Sequence, residues 1–258
     1  FSPDEQFLVS GHSDGMVVLW DISGLSPRLL EINSSHSQER ASVVSSQFTR
    51  NGRLVTSAHD KVIRIWEIED EQFRLVREIQ SRLEVKSISL SADEQYIAVS
   101  GTGLPINIVE VWDMNTGDLI NELGPYEKNV YAVAFHPCQP NILAFSPDST
   151  SIPEVETRLA STNTIRLWNI LSGSETGVIV AGHDKEMETL AFSPSGNLLM
   201  SGSWDGSVRM WNTSTGSEVY ASQMGQRVLS VAFSPSAQRF AVGLGETRIR
   251  IAGLDNSN

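Results

Sequence analysis

Residues 11–15 read Gly-His-Ser-Asp-Gly, a Gly-x-Ser-x-Gly pattern. That spacing marks a nucleophile elbow, where a strand turns sharply into a helix and lifts a serine into solvent. Ser13 would then be the nucleophile. Farther along, His183, Ser201 and Asp205 supply the residue types of a hydrolytic triad. A triad needs a solvent-reachable serine, a histidine beside it and donors for an oxyanion. His-Pro-Cys at 136–138 offers two metal-binding side chains, but there is no second pair at ligand spacing and the five histidines are scattered. No metal site and no cofactor is expected from them. Gly-Leu-Gly-Glu-Thr-Arg at 243–248 lacks the strand–helix–strand setting of a dinucleotide motif.

The elements around these residues decide among the readings. Tryptophans fall at 20, 66, 112, 168 and 211, in steps of 46, 46, 56 and 43. Each is followed by an acid or amide: Asp21, Glu67, Asp113, Asn169 and Asn212. One and three residues before each Trp the side chains are apolar, as in Leu19 and Val17 or Ile65 and Ile63. Such alternation predicts a strand. A degenerate sixth copy, Ile249-Arg250-Ile251-Ala252, puts alanine in the Trp slot. Upstream of each strand lies an aromatic-Ser-Pro-type turn, as in Phe-Ser-Pro-Ser-Gly-Asn from 192, and then a second apolar strand. A third strand precedes the turn, with apolar residues spaced three and then two apart: Val130, Val133 and Phe135, or Met187, Leu190 and Phe192. The extra residue predicts a β-bulge in every unit. Gly117, Gly173 and Gly216, each five residues past a Trp, predict hairpin turns into a fourth strand. The chain therefore reads as all-β, with six units of four short antiparallel strands and no helix of consequence. Radial repetition of such sheets makes a β-propeller.

Bulk properties bound the rest. The 258 residues suit one large domain, 1–258, with 40% hydrophobic and 19% charged residues. No apolar run spans a membrane, and no signal peptide is visible. The single cysteine, Cys138, excludes an internal disulfide and fits a reducing, intracellular compartment. In that setting the sequons at Asn33 and Asn212 are not expected to carry glycans. The net charge of −12 argues against nucleic acid and anionic membrane as partners and favours basic ones.

Over residues 1–254 the units resemble those of the WD-repeat (WD40) β-propeller family. The clearest copy is AGHDKEMETLAFSPSGNLLMSGSWDGSVRMWN, residues 181–212. The resemblance implies that His183, Ser201, Asp205 and Trp211 form a hydrogen-bonded chain inside one blade. It implies partial chains of Ser10, Asp14 and Trp20 in the first unit, with the histidine upstream of residue 1. In the second it implies Thr56, Asp60 and Trp66, with His36 as their histidine. Aligning 201–212 with 10–21 puts Ser13 opposite Trp204, so Ser13 reads as a turn residue and the elbow is rejected. Units three, four and six depart from the pattern and are expected to rely on apolar packing alone. The fourth carries an insertion, 145–158, read as a surface loop.

The first unit begins after its inner strand, so the chain is expected to be a piece of a longer protein whose ring it shares with upstream residues, with room for a seventh blade. The function implied is a non-enzymatic scaffold or adaptor that binds proteins or peptides. The alternatives are a propeller-fold hydrolase and, as context, the sensor array of a NACHT-type receptor or a ubiquitin-ligase adaptor. In the family, partners meet the loops around the channel mouth. By offset from each aromatic turn residue, the side chains there are Val44 and Ser42, Lys86 and Glu84, Tyr131 and Asn129, Glu188 and Glu186, and Leu229 and Arg227. Ser13, His59 and Trp204 join them from the hairpin turns. Trp204 is expected to expose much of its ring and, with Glu186 and Glu188, to anchor a basic peptide.

Overall fold

The computed structural model describes residues 1–36, 41–103, 106–126, 129–147, 163–246 and 248–254. They form six antiparallel sheets, and no helix occurs among them. Blade 1 holds β1 (Phe7–Gly11), β2 (Val17–Asp21) and β3 (Arg28–Asn33). Blade 2 holds β4 (Val43–Phe48), β5 (Leu54–Ala58), β6 (Val62–Glu69) and β7 (Gln72–Gln80). In blade 3 follow β8 (Glu84–Leu90), β9 (Tyr96–Thr102), β10 (Asn107–Asp113) and β11 (Leu119–Tyr126). Blade 4 has β12 (Val130–Phe135), β13 (Ile142–Pro147), β14 (Thr164–Asn169) and β15 (Ser174–Val180). Blade 5 has β16 (Met187–Phe192), β17 (Leu198–Ser203), β18 (Ser207–Asn212) and β19 (Glu218–Gln223). Blade 6 has β20 (Val228–Phe233), β21 (Arg239–Leu244) and β22 (Arg248–Gly253). Strand order within each sheet follows the chain, so strands that follow one another within a blade are paired antiparallel.

The bulge is present in all five inner strands. The register slips between Val43 and Ser45, Val85 and Ser87, Val130 and Val133, Met187 and Thr189, and Val228 and Ser230. One extra residue there turns the strand's first side chains away from the sheet and toward the mouth of the channel. The inner strands enclose a cavity of about 550 Å³, lined by residues of β4, β8, β12, β16 and β20.

The core lies in the seams between blades. Ile63 and Ile65 of blade 2 pack with Val85, Ile97 and Ile108 of blade 3. Val109 and Val111 pack with Leu143 and Phe145 of blade 4, and Met200, Val208 and Met210 with Val228 and Phe240 of blade 6. Each fully buried side chain of this kind stabilises the fold by about 1.5–3 kcal/mol. One slot must stay small for the seams to close. It is the second-strand residue paired with the third-strand position three before the Trp: Gly11, Ser57, Ser100, Gly202 and Gly243. A Cβ on Gly11 would lie 2.4 Å from Val43 Cγ1, and one on Gly202 would lie 2.4 Å from Val228 Cγ1, both on the next blade's inner strand.

Candidate functional site

Two sets of polar side chains stand out, one inside the blades and one at the channel mouth. In blade 5 the Trp211 indole N–H donates to Ser201 Oγ at 3.0 Å. An indole nitrogen only donates, so the Ser201 hydroxyl proton turns to His183 Nε2, 2.8 Å away. His183 Nδ1 then carries the proton and faces Asp205 Oδ2 at 3.0 Å. Ser207, absent from the sequence reading, joins through Asp205 Oδ1 at 2.6 Å and His183 Nδ1 at 2.9 Å. Burial holds the His183 imidazole below its ordinary pKa of 6.5, so the neutral ring is favoured. Burial also works to raise Asp205, but hydrogen bonds from Ser207 outweigh it and the carboxyl stays low. Ser201 is 0% exposed and His183 1%.

Blade 2 repeats the chain. Trp66 Nε1 donates to Thr56 Oγ1 at 2.9 Å, His36 Nε2 lies 3.0 Å from the same oxygen, and His36 Nδ1 lies 2.7 Å from Asp60 Oδ2. Arg64 adds a second donor to Asp60 at 2.8 Å. In blade 1 Trp20 Nε1 donates to Ser10 Oγ at 3.0 Å, and His12 Nε2 lies 3.1 Å from the same oxygen. The histidine expected upstream of residue 1 lies outside the given sequence. Asp14 accepts the Met16 N–H across the hairpin. Ser13 sits exposed in that hairpin, between β1 and β2, with no helix after it. Gly15, at φ 85°, supplies the left-handed residue the turn requires.

Blade 3 corrects the expectation of apolar packing alone. Val99 fills the slot that Ser201 holds in blade 5, and the Trp112 indole turns to Glu110 Oε2 at 3.1 Å. Glu110 is 0% exposed and also accepts Ser81 Oγ–H at 2.7 Å and the Arg82 N–H at 3.2 Å. A lone charge in an otherwise apolar strand was the only signal for it. Blade 4 does rest on apolar packing. Phe145 fills the serine slot, and Trp168 Nε1 is buried with no partner among the described residues. Its Asn163 donates instead to the His183 carbonyl at 3.3 Å, tying blade 4 to blade 5. His136 is engaged as a structural ring, its Nδ1 accepting the N–H groups of Cys138 and Gln139 at 3.2 and 3.0 Å.

At the mouth the sequence-chosen residues form two groups. In one, Lys86 Nζ donates to Glu84 Oε1 at 2.8 Å and lies 3.3 Å from His59 Nε2. That bond from Lys86 holds Glu84 low, and burial, then Lys86, holds His59 low. The other group centres on Trp204. Its ring is partly buried, not largely exposed as the sequence suggested. Tyr131 packs on it with centroids 5.7 Å apart, and the exposed Arg227 places its guanidinium carbon 4.7 Å from the ring centroid. The indole N–H donates to Glu188 Oε2 at 2.8 Å, and the backbone N–H donates to the Glu186 carbonyl at 3.0 Å. Asn129 donates to the Tyr131 hydroxyl at 2.9 Å. Burial raises Glu188 above the ordinary carboxylate value of 4.5. Val44, Lys86, Glu188 and Leu229 all line the channel cavity. Ser42 contributes its carbonyl, which accepts the His59 N–H at 3.1 Å. Ser13, His59, Glu84, Tyr131, Glu186, Trp204 and Arg227 are not among the residues that line the cavity.

The "WD domain, G-beta repeat" family model matches residues 1–21, 29–67 and 172–212. Periodic tryptophan protein 2 of Arabidopsis thaliana is 25% identical over 221 residues, covering 85% of this chain and 22% of that protein. The transcriptional corepressor LEUNIG_HOMOLOG of the same plant is 26% identical over 206 residues, 80% of this chain and 23% of that protein. The chain thus spans less than a quarter of the length of these two relatives. Among solved structures, a chain of the mitotic checkpoint complex superposes with a TM-score of 0.81 at 21% identity, covering 98% of this chain and 73% of that one. With tandem Trp-terminated blades and three stretches that match the repeat model, the chain is similar to WD40-repeat proteins in sequence and has the fold of a β-propeller.

Proposed function

We propose that this propeller, as a single domain over residues 1–258, is a non-catalytic platform that binds protein or peptide partners with a basic surface at its channel mouth. The observation that carries the reading is the Trp204–Glu188 hydrogen bond, whose carboxylate lines the channel cavity. A carboxylate held partly out of water beside an aromatic ring gains more from a cationic partner than one in bulk solvent. Glu186 lies two residues away, and the net charge of −12 would draw basic partners in. The related proteins include, by name, a corepressor and a checkpoint complex, which are assembly functions. The same acidic balance disfavours nucleic acid and anionic membrane as partners. Among the described residues no helix is long and apolar enough to cross a membrane. With one cysteine, the protein suits the cytoplasm or nucleus.

A hydrolase reading would rest on the His183–Ser201–Asp205 set. Ser201 is fully buried, and its hydroxyl already lies between Trp211 and His183, so it cannot meet a substrate. The test begins with affinity capture and mass spectrometry from the source cell, followed by direct binding of the captured partner. Trp204→Ala and Glu188→Lys should both fold and both lower affinity, the charge change more so at low salt. If binding survives both unchanged, the interaction face lies elsewhere. Of the insertion at 145–158, residues 145–147 belong to β13 with Phe145 buried in the core and not to a surface loop, so 148–158, which fall outside the described residues, would be examined next.

A further inference from the structure

The aromatic platform at the mouth is already occupied. We infer that the Trp204 ring is a guanidinium slot filled by the chain's own Arg227, and that a partner's arginine enters it by displacing Arg227. This rests on the mouth being the partner site, and it names the partner group: a planar guanidinium in preference to an ammonium.

Three observations support it. First, Arg227 is exposed, and among the described residues no carboxylate pairs with it, whereas Arg53, Arg64, Arg82 and Arg209 each sit on an acid. In a chain of net charge −12 the nearest strong contact of this side chain is an aromatic ring, 4.7 Å from its guanidinium carbon. Second, the ring is fixed. Tyr131 packs on it with centroids 5.7 Å apart, Glu188 holds its N–H at 2.8 Å, and the Glu186 carbonyl holds its backbone at 3.0 Å. Trp204 therefore cannot swing aside for a ligand, and the movable member is Arg227. Third, Glu188 feels the charge of Arg227 without hydrogen-bonding it, so an incoming guanidinium can make a bond to this carboxylate that its resident does not. A guanidinium is flat and weakly hydrated, and it stacks on an indole better than a compact ammonium does.

The resident is a tethered competitor. A cation on an exposed aromatic contributes about 0.5–1 kcal/mol, which corresponds to roughly a two- to fivefold change in affinity. The test titrates acetyl-Gly-Arg-Gly-amide and its lysine counterpart into the wild-type chain, Arg227→Gln and Arg227→Lys. The readout is the Trp204 indole N–H resonance, assigned by its loss in Trp204→Phe. Arg227 is exposed, so thermal melts of its variants should match the wild type. Arg227→Gln should bind the arginine peptide about two- to fivefold more tightly, with a smaller gain for the lysine peptide. Arg227→Lys, which keeps the charge but loses the planar guanidinium, should fall between. Unchanged or weaker binding by Arg227→Gln, with Trp204 still shifting, would overturn the inference alone. Weaker binding would recast Arg227 as a contact for the partner. If the arginine peptide moves the Trp204 resonance in none of the three proteins, the mouth is not a cation site, and the inference falls with that reading.

Discussion

Two tryptophans at the same place in their blades have different surroundings, and this separates what the indole N–H contributes from what the ring contributes. Trp211 donates to Ser201 at 3.0 Å, whereas the buried Trp168 N–H has no partner among the described residues. Phenylalanine keeps most of the ring and removes the donor. Trp211→Phe strips Ser201 of that donor and should cost about 1–3 kcal/mol. Trp168→Phe removes an orphaned donor and should stay within about 1 kcal/mol of wild type, on either side. Trp211→Ala loses the ring as well, and about 3–5 kcal/mol with it. Ser13→Ala, in an exposed turn, should stay within about 0.5 kcal/mol. Urea unfolding of the four variants checks the order. If Trp168→Phe proved as costly as Trp211→Phe, the two blades would not differ in the way their polar contacts indicate.

The elements were readable wherever a pattern repeats. Apolar alternation gave the strands, and a three-then-two spacing gave a bulge that appears in all five inner strands. What repeats badly was not readable. Glu110 takes over the indole of blade 3 because Val99 leaves no hydroxyl there, and no spacing rule announces such a substitute. The Tyr131–Trp204–Arg227 stack joins three blades, so its order depends on how blades meet and not on any local period. The small-residue slot in the second strand is likewise a property of the seam. Gly202→Val should overpack against Val228 and Thr189, whose carbons already lie 2.4 and 2.8 Å from a Cβ built there, and cost about 1–3 kcal/mol. Ser57 fills the equivalent slot in blade 2, and its buried hydroxyl has no partner among the described residues. Ser57→Ala should therefore be neutral or stabilising by up to about 1 kcal/mol. Melting temperatures of the pair decide the point, and a tolerated Gly202→Val would mean that blades 5 and 6 are less tightly fitted than their backbones imply.

At the scale of the whole molecule, four blades contribute charged groups to one opening, and proton uptake there should regulate binding. Glu188 is raised above 4.5 by burial, while the Trp204 N–H, Lys86 and Arg227 pull it down. As pH falls through that raised value the carboxyl gains a proton, and the mouth loses a negative charge. Affinity for a cationic peptide should fall with it. A bound guanidinium favours the ionised form and draws the pKa back down, so binding within this window should release a proton. The other groups facing the opening are Glu84, Lys86, His59, Glu186 and Arg227. Glu84 is held below 4.5 by its bond from Lys86, so it titrates beneath the window. His59 is lowered from 6.5 by burial and Lys86, and its protonation adds positive charge that acts in the same direction as the loss at Glu188. Calorimetric titration of acetyl-Gly-Arg-Gly-amide between about pH 4.5 and 7.5, in buffers of different ionisation enthalpy, measures both affinity and proton release. Glu188→Gln should bind more weakly at neutral pH and lose the proton release, and His59→Gln should keep it. A Glu188→Gln protein with the wild-type pH profile would assign the effect to His59 and remove Glu188 from the cation site.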